Sequence, residues 1–453
     1  MRFRKLFEIE HENMDYKRIT LLVAIWAALL QQVPAAQAIG AERDLPPFHT
    51  ADARLRDYIE EALQRNPAVM EVRARYQASL ERAPQVEGLP DPVLSFSQAI
   101  RSVETRVGPQ RNILQFSQKL PWFGKLDLKT KVALQEAEAR YQLYVAQQRT
   151  VIADVKRAFY DLSFVDEALY ITREERAVLE HYEALASSRY ASGQGLQQAV
   201  LKIQTEITKI TSRLDTLHQQ RTSLEARLNT LRDRPAHDPI SAFGDLDLPQ
   251  TEIVLEELYS LGQENRQELK AVKSLMEKNE RAIDLSKKSA SPDVTLGATF
   301  INVGRRDDPA GIEMPPPDNG KNAFSLSISV TLPLWGDKYD AEVREATEDL
   351  SAERYRYVRI QNDMELQIRD LAVRLETLQR QMALFNDALV PQAEETLRST
   401  EAAYETGQVG VLDLLDSERF LLELRLANTR FRSDYLAALA ALERALGAEF
   451  PQS

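Results

Sequence analysis

Few side chains in this sequence have the types and spacing that support catalysis or metal binding. The chain of 453 residues has no cysteine, and its five histidines do not follow the spacing of metal ligands. It also has no glycine-rich phosphate-binding motif. None of the 69 acidic residues is singled out by its neighbours as a general acid or base. The sequence therefore predicts no enzyme activity, no metal site and no cofactor.

One pair of carboxylates has a spacing with a chemical consequence. Asp413 and Asp416 lie three residues apart in a predicted helix, so their side chains share one helix face. Such a pair favours cations if it lines a narrow passage, whereas on an open surface it is an ordinary solvated face. The spacing leaves both interpretations open, and the elements that position the pair must decide between them.

The overall charge and the N-terminus restrict the class of protein. A net charge of −12 argues against a nucleic-acid partner, because phosphate binding requires a basic surface. Lys17 and Arg18 precede a twelve-residue apolar run, and small residues follow it up to Ala38. This layout predicts a secretory signal peptide at 1–38, since the run is shorter than the roughly 20 residues of a membrane-spanning helix. Met14 is an alternative start, because the preceding residues are unusually acidic for a signal peptide.

The clearest strand signal lies in residues 324–332, where apolar and hydroxyl side chains alternate. A period of two places every apolar side chain on one face of a sheet and every hydroxyl on the other. The pattern fits either a half-buried strand of a soluble protein or a strand with one face in lipid. By itself it favours the soluble protein, because soluble sheets are far commoner. The apolar members are Phe324, Leu326, Ile328, Val330 and Leu332.

The chain uses one arrangement twice: a helix, a β-hairpin, a long helix and a shorter helix. Tyr190 and Gly193 recur as Tyr404 and Gly407, each 214 positions later, which indicates an internal duplication. The first repeat is predicted at 39–234, with its elements at 53–82, 93–120, 125–192 and 196–234. The second repeat is predicted at 235–453, with its elements at 252–288, 293–333, 338–406 and 411–446. The first helix of the first repeat is expected to have a kink or break at Asn66-Pro67, and that of the second repeat to have a weak point at Gly262.

The lengths of these elements predict an extended architecture. A helix of nearly 70 residues reaches about 100 Å and needs packed neighbours along its whole length, as in a bundle or tube. Four strands cannot close a barrel in lipid, because the smallest membrane barrels have about eight. If the strands span a membrane, several chains must therefore share one barrel. Trp122 and Trp335 lie where strand meets long helix, which fits either a membrane-interface girdle or a protein core.

With this order of elements, the chain resembles the TolC family of outer-membrane efflux ducts. The resemblance rests on the Leu-Pro-x-x-Gly strand exits at 120–124 and 332–336, on the two Tyr-x-x-Gly breaks, and on the segment 404–416. It implies a mostly α fold with a small membrane β part. Three copies of the chain would form a homotrimer with a shared 12-stranded barrel in the outer-membrane lipid and a long periplasmic helical tube.

The resemblance also implies a function and partners. The chain would be the passive exit duct of a tripartite efflux pump, docking a periplasmic adaptor and through it an inner-membrane pump, of the RND type. The lysine at 125, directly after Trp122-Phe123-Gly124, resembles a feature of the heavy-metal Cus/Czc branch of the family. Two alternatives stay open: a secreted soluble coiled-coil scaffold, and the duct of a type I protein-secretion system.

Family roles carry over to particular positions. Asp413, Asp416 and Tyr404 match residues at the pore entrance, and Trp122, Phe123 and Trp335 match the membrane interface. The helix turns would be adaptor-docking tips, although a purely structural turn fits their glycines as well; their residues are Gly193, Gln194, Gly407 and Gln408.

Two positions depart from the family pattern at the entrance. Val409 stands where a latch arginine is known, and Ala199 stands where the first repeat can carry a latch aspartate. We therefore expect that the closed state is not held by that ion pair.

Overall fold

The computed structural model describes residues 48, 50, 52–243, 246, 248–249 and 252–450. The predicted signal peptide at 1–38 lies outside the described residues. The strands are β1 (Val93–Thr105), β2 (Gly108–Leu120), β3 (Val294–Val303) and β4 (Ala323–Val330). The helices before the second hairpin are α1 (Ala53–Arg65), α2 (Pro67–Leu80), α3 (Arg82–Glu87), α4 (Lys125–Ala191), α5 (Gln197–Leu231), α6 (Leu255–Asn265) and α7 (Gln267–Ser289). The later helices are α8 (Pro309–Glu313), α9 (Gly336–Leu384), α10 (Val390–Glu405) and α11 (Val411–Leu446).

One compact unit, which includes Leu80–Lys131 and Lys287–Tyr339, contains all four strands. They form one antiparallel sheet in the order β1-β2-β3-β4. In the central rows of the sheet, the register aligns apolar residues with apolar residues and polar residues with polar residues. One apolar row is Leu94, Phe116, Ala298 and Leu326. The adjacent polar row is Ser95, Gln115, Thr299 and Ser325. The small sheet with two chemically distinct faces is thus confirmed.

The ends of the strands differ from the alternation in the sequence. β4 ends at Val330, two residues before the predicted Leu332. The backbone N–H of Thr331 still donates to the carbonyl of Asp293 at 2.9 Å, but Pro333 has no N–H with which to continue the ladder. β1 extends beyond its alternating part to Thr105, through an irregularity between Gln98 and Val103.

The other compact unit includes Arg43–Ser79, Val132–Ser286 and Asp340–Ser453, and its described residues are mostly helical. Its interior consists of three hydrophobic clusters. The first joins α4, α5, α10 and α11 around Tyr404 and Leu414. The second joins α1, α4 and α5 around Phe159, and the third joins α6, α7, α9 and α11 around Tyr435. No helix in the described part of the chain is both long and apolar enough to cross a membrane.

The short helices break at corresponding positions in the two halves of the chain. α1 ends before Asn66, as predicted, and the Asn66 side chain caps α2 by accepting from the backbone N–H of Ala68 at 2.9 Å. In the second half the helix breaks at Arg266, four residues after the predicted weak point at Gly262. Gly262 instead allows close packing, because a Cβ there would lie 2.9 Å from the sulfur of Met364.

The second long helical stretch is not uniform. Between α9 and α10, residues Phe385–Leu389 form a π-helical turn directly before Pro391. Proline cannot donate an N–H in a helix, and the wider turn accommodates the altered hydrogen bonding. Each compact unit takes segments from both predicted repeats, so the division at residues 234 and 235 stays a prediction from sequence.

Candidate functional site

The two tight turns between long and short helices have the same backbone geometry. Gly193 has a φ of 75°. Its N–H donates to the carbonyl of Tyr190 at 3.1 Å, and the N–H of Gln194 donates to that of Arg189 at 2.9 Å. This pair of bonds is a Schellman motif, which ends a helix through a residue in the left-handed region. The same φ and the same pair of bonds recur at Gly407.

The geometry of these turns predicts a modest loss of stability on substitution. Nothing lies within 4 Å of a Cβ added to Gly407, so an alanine there meets backbone strain but no clash. We expect Gly407→Ala to lower the free energy of unfolding by about 1 kcal/mol, measured by denaturant titration. Gly336→Ala is the matched control, because it also enters open space but at a φ outside the left-handed region. Equal effects of the two substitutions would contradict this account.

Arg189 links the two turns within one chain. Its guanidinium donates to the carbonyl of Tyr404 at 2.9 Å and to that of Glu405 at 2.6 Å, at the C-terminal end of α10. It also lies over the Tyr404 ring, 4.9 Å from the centroid. A cation that satisfies the last carbonyls of a helix interacts favourably with the helix dipole. The sequence does not predict this contact, because the position 214 residues later is Ala403 and the duplication offers no parallel.

The two equivalent tyrosines have opposite environments. Tyr404 is 6% exposed and belongs to the hydrophobic cluster with Leu414, whereas Tyr190 is 49% exposed. Val409, one of the two positions that depart from the predicted latch, packs against the same cluster. Ala199 lies in the first turn of α5. The structure thus brings Tyr404 together with Arg189, and neither Val409 nor Ala199 can form an ion pair.

Asp413 and Asp416 both lie exposed in the first turns of α11. A carboxylate oxygen of Asp413 accepts from the backbone N–H of Gly410 at 3.0 Å, which caps the start of the helix. Asp416 lies 3.4 Å from Arg419, which also contacts Glu206 at 3.0 Å. One carboxylate therefore has a structural partner, and the charge of the other is partly offset by a neighbouring arginine.

A carboxyl cluster, composed of the buried Glu418 and the partly buried Glu175 and Glu401, lies among the helices that carry the turns. The Tyr182 hydroxyl is within hydrogen-bonding distance of Glu401 and, at 2.8 Å, of Glu418. A hydroxyl has one proton to donate, so the second contact requires a protonated carboxyl group. Glu418 is itself hydrogen-bonded to Glu175, which again requires a proton between two carboxyl groups.

Burial and mutual repulsion change the protonation of this cluster. Burial and the neighbouring Glu418 raise the pKa of Glu175 to about 8. Burial also raises the pKa of Glu418, and burial with the hydrogen bond to Glu401 raises that of Tyr182. Arg425 opposes the rise for both Glu175 and Glu418, but its guanidinium is also paired with a different carboxylate. The cluster therefore holds a proton at neutral pH.

In the sheet unit, the predicted interface aromatics lie at the ends of the strands where the helices begin. Trp122, Phe123 and Trp335 are 38%, 86% and 74% exposed. Asp293, for which the sequence predicted no role, holds the end of the first hairpin to the start of α4. It accepts from the backbone N–H of Trp122 at 3.0 Å and from the Lys125 ammonium at 2.8 Å. Lys125 thus has a structural partner directly after the first hairpin.

Comparison with known proteins relates this geometry to a protein family. The family model described as outer membrane efflux protein matches residues 58–234 and 258–448. Outer membrane protein TolC of Vibrio cholerae serotype O1 is 21% identical over 430 residues, which cover 87% of this chain and 90% of that protein.

Solved structures show the same fold. The outer membrane protein VceC of Vibrio cholerae is 20% identical, with a TM-score of 0.73, covering 88% of this chain and 97% of that one. The CmeC outer membrane channel of Campylobacter jejuni is 14% identical, with a TM-score of 0.73, covering 93% of this chain and 94% of that one.

Proposed function

The chain belongs to the outer membrane efflux protein family, and we infer from this that it is the outer-membrane exit duct of an efflux system. It lies in the outer membrane of a Gram-negative bacterium and extends into the periplasm. The observation in the structure that carries this function is the exposed apolar face of the sheet. Leu326 and Ile328, for example, are 75% and 73% exposed in the single chain. Such a face is compatible with lipid, whereas water disfavours a contiguous apolar surface.

The duct acts by passive conduction and not by catalysis. Substrates reach it from an inner-membrane transporter, which we propose to be an RND-type pump, through a periplasmic adaptor. The adaptor docks at the turns formed by Gly193 and Gln194 and by Gly407 and Gln408. Their matching geometry supports this role, because three chains would present six equivalent turns to an adaptor assembly. The sheets of three chains together would supply the 12 strands of one barrel.

A homotrimer is supported by a second exposed surface in the helical unit. Five large apolar side chains on α9 are exposed, and at 100° per residue they fall within about 80° of one another. These residues are Tyr355, Val358, Leu366, Val373 and Leu384. Soluble monomers rarely expose such a stripe, and a neighbouring copy of the chain would cover it.

Membrane extraction tests this function directly. We expect the protein in the outer-membrane fraction, where detergent releases trimers that resist heat, and we expect those trimers to conduct ions in planar bilayers. Deleting the gene should raise the sensitivity of the cell to substrates of the partner pump. A freely soluble periplasmic monomer would contradict the proposal and would favour the scaffold interpretation.

Arg189 is proposed to hold the entrance closed, through its contacts with the second turn at Tyr404 and Glu405. Arg189→Ala removes two charge-assisted hydrogen bonds, so we expect a loss of about 1–2 kcal/mol of local stability and a larger single-channel conductance in bilayers. Arg398→Ala is the matched control, because that arginine on α10 pairs with exposed Glu395. Unchanged conductance of the Arg189 variant would exclude this arginine from the gate.

Asp413 and Asp416 are proposed to line the entrance with Tyr404, where three chains would supply six carboxylates. Replacing both with asparagine removes their charge and keeps an acceptor for the cap at Gly410. We expect a weaker preference for cations over anions in planar-bilayer reversal potentials. Glu395→Gln removes an exposed charge on a different helix, α10, and should leave selectivity unchanged. If the double variant kept wild-type selectivity, the pair would lie away from the constriction.

A further inference from the structure

Arginines concentrate at the loop end of the sheet, opposite the end where its strands join the helices. Arg101 lies in the irregular part of β1, and Arg106 lies in the turn between β1 and β2. Arg111 lies at the irregularity of β2, between the paired residues 110 and 112. Arg305 and Arg306 follow β3 after Gly304. Both hairpins thus contribute cations to the same end of the sheet.

Most of these arginines have no partner among the residues that the structure describes. Arg306 pairs with Asp308 at 2.6 Å. Among the residues that the structure describes, the other four form no ion pair and no side-chain hydrogen bond, and each is exposed. We call these four the loop-end arginines: Arg101, Arg106, Arg111 and Arg305.

The nearby carboxylates have other partners or none. Asp318 is 3.6 Å from Lys321, and Glu104 accepts from the Ser102 hydroxyl at 3.3 Å. Asp307 and Glu313 are exposed, and in the described part of the chain neither contacts a loop-end arginine. The guanidinium groups therefore remain available to an anion from outside the chain.

Backbone contacts join the two hairpins into one surface. The N–H of Gly304 donates to the carbonyl of Pro109 at 2.7 Å, and the N–H of Gly320 donates to that of Val107 at 2.7 Å. Both glycines also make room for arginine side chains. A Cβ on Gly304 would lie 2.5 Å from Nε of Arg111, and one on Gly320 would lie 2.7 Å from Cγ of Arg305.

The loop-end arginines lie just beyond the apolar face of the sheet. The last full apolar row toward that end is formed by Phe96, Leu114, Phe300 and Phe324. Ile100, which precedes Arg101, is fully exposed. In a membrane this boundary is the level of the lipid headgroups, where clustered basic residues bind anionic lipids.

We propose that the loop-end arginines bind the phosphate groups of phosphorylated glycolipids in the outer leaflet of the outer membrane. The proposal rests on the proposed function, which places the loop end on the outer side. Guanidinium is suited to this ligand because its planar donors bind phosphate in a bidentate manner. A glycolipid that carries two phosphates can engage several arginines at once, which favours it over a phospholipid with one.

The test uses full-length trimers in detergent, with bisphosphorylated lipid A as the probe and native mass spectrometry as the readout. Replacing all four loop-end arginines with glutamine should weaken lipid A binding on the order of tenfold. The control replaces four paired, exposed helical arginines, which removes the same charge elsewhere and should leave binding unchanged. The control positions are Arg176, Arg359, Arg380 and Arg398.

Two further arms identify the ligand. Dephosphorylated lipid A should bind as weakly to the wild type as lipid A binds to the loop-end variant. If phosphatidylglycerol bound the wild type as tightly as lipid A does, or if inorganic phosphate displaced lipid A, the assignment to a glycolipid would be overturned. Wild-type binding by the loop-end variant would overturn the site itself. Outer-membrane location and conductance, measured on the same variant, separate that failure from a failure of the duct function.

Discussion

An arginine at Leu326 is expected to prevent assembly in the outer membrane. Leu326 lies in the middle of β4, in a row with Leu94, Phe116 and Ala298. If this face meets lipid, a cation near the bilayer midplane costs about 2–4 kcal/mol per chain. Three chains would each bear this cost, so we expect little heat-resistant trimer in the outer-membrane fraction of the Leu326→Arg variant.

The neighbouring polar row provides the control. Ser325 is on the same strand and is aligned with Thr299, Gln115 and Ser95. Ser325→Arg introduces the same charge on the face that we assign to water, so trimers should form at nearly the wild-type level. Greater sensitivity at Ser325 than at Leu326 would mean that the two faces are assigned backwards.

Glu175→Gln is expected to remove a loss of stability on the alkaline side. The folded protein keeps a proton on Glu175 up to about pH 8, whereas the unfolded chain loses it near pH 4.5. Because the folded state binds more protons in this window, stability is highest below the lower pKa and falls as pH rises through the window. The slope reaches about 1.4 kcal/mol per pH unit for one proton.

The surroundings of Glu175 explain why glutamine should suit this site. Among the described residues, Arg425 is the cation that acts on Glu175, and the acidic groups are Glu418 beside it with Glu401 and Tyr182 beyond. A glutamine amide can donate to an ionised Glu418 at any pH, so no shared proton is required. The variant should therefore be more stable than the wild type at pH 8, by thermal unfolding of the detergent-solubilised protein.

Glu180→Gln is the control for this experiment. Glu180 lies on the same helix, but it is half exposed and pairs with Arg176 at 2.8 Å. An exposed ion pair contributes little, so this variant should follow the wild-type dependence on pH. Parallel curves for the wild type and the Glu175 variant would show that the shared proton has no effect on stability.

The features that the sequence determined are local or periodic. The alternation at 324–332 specified the two faces of β4, because side chains on a strand point alternately to opposite sides. The helix breaks at Gly193 and Gly407 were predictable, because glycine tolerates the left-handed backbone that ends a helix. The duplication and the family motifs then predicted the mostly helical fold with a small four-stranded sheet.

The tertiary structure decided which distant side chains meet. Arg189 reaches Tyr404 across more than 200 positions, and the duplication hides this contact because the matching residue is Ala403. The contact of Asp293 with Lys125 likewise depends on packing between remote segments. So does the carboxyl cluster at Glu418. Local pattern and propensity carry no information about such partners. From sequence, a polar residue in a long helix is predicted to face solvent, and only the packing of a neighbouring helix decides whether it is covered.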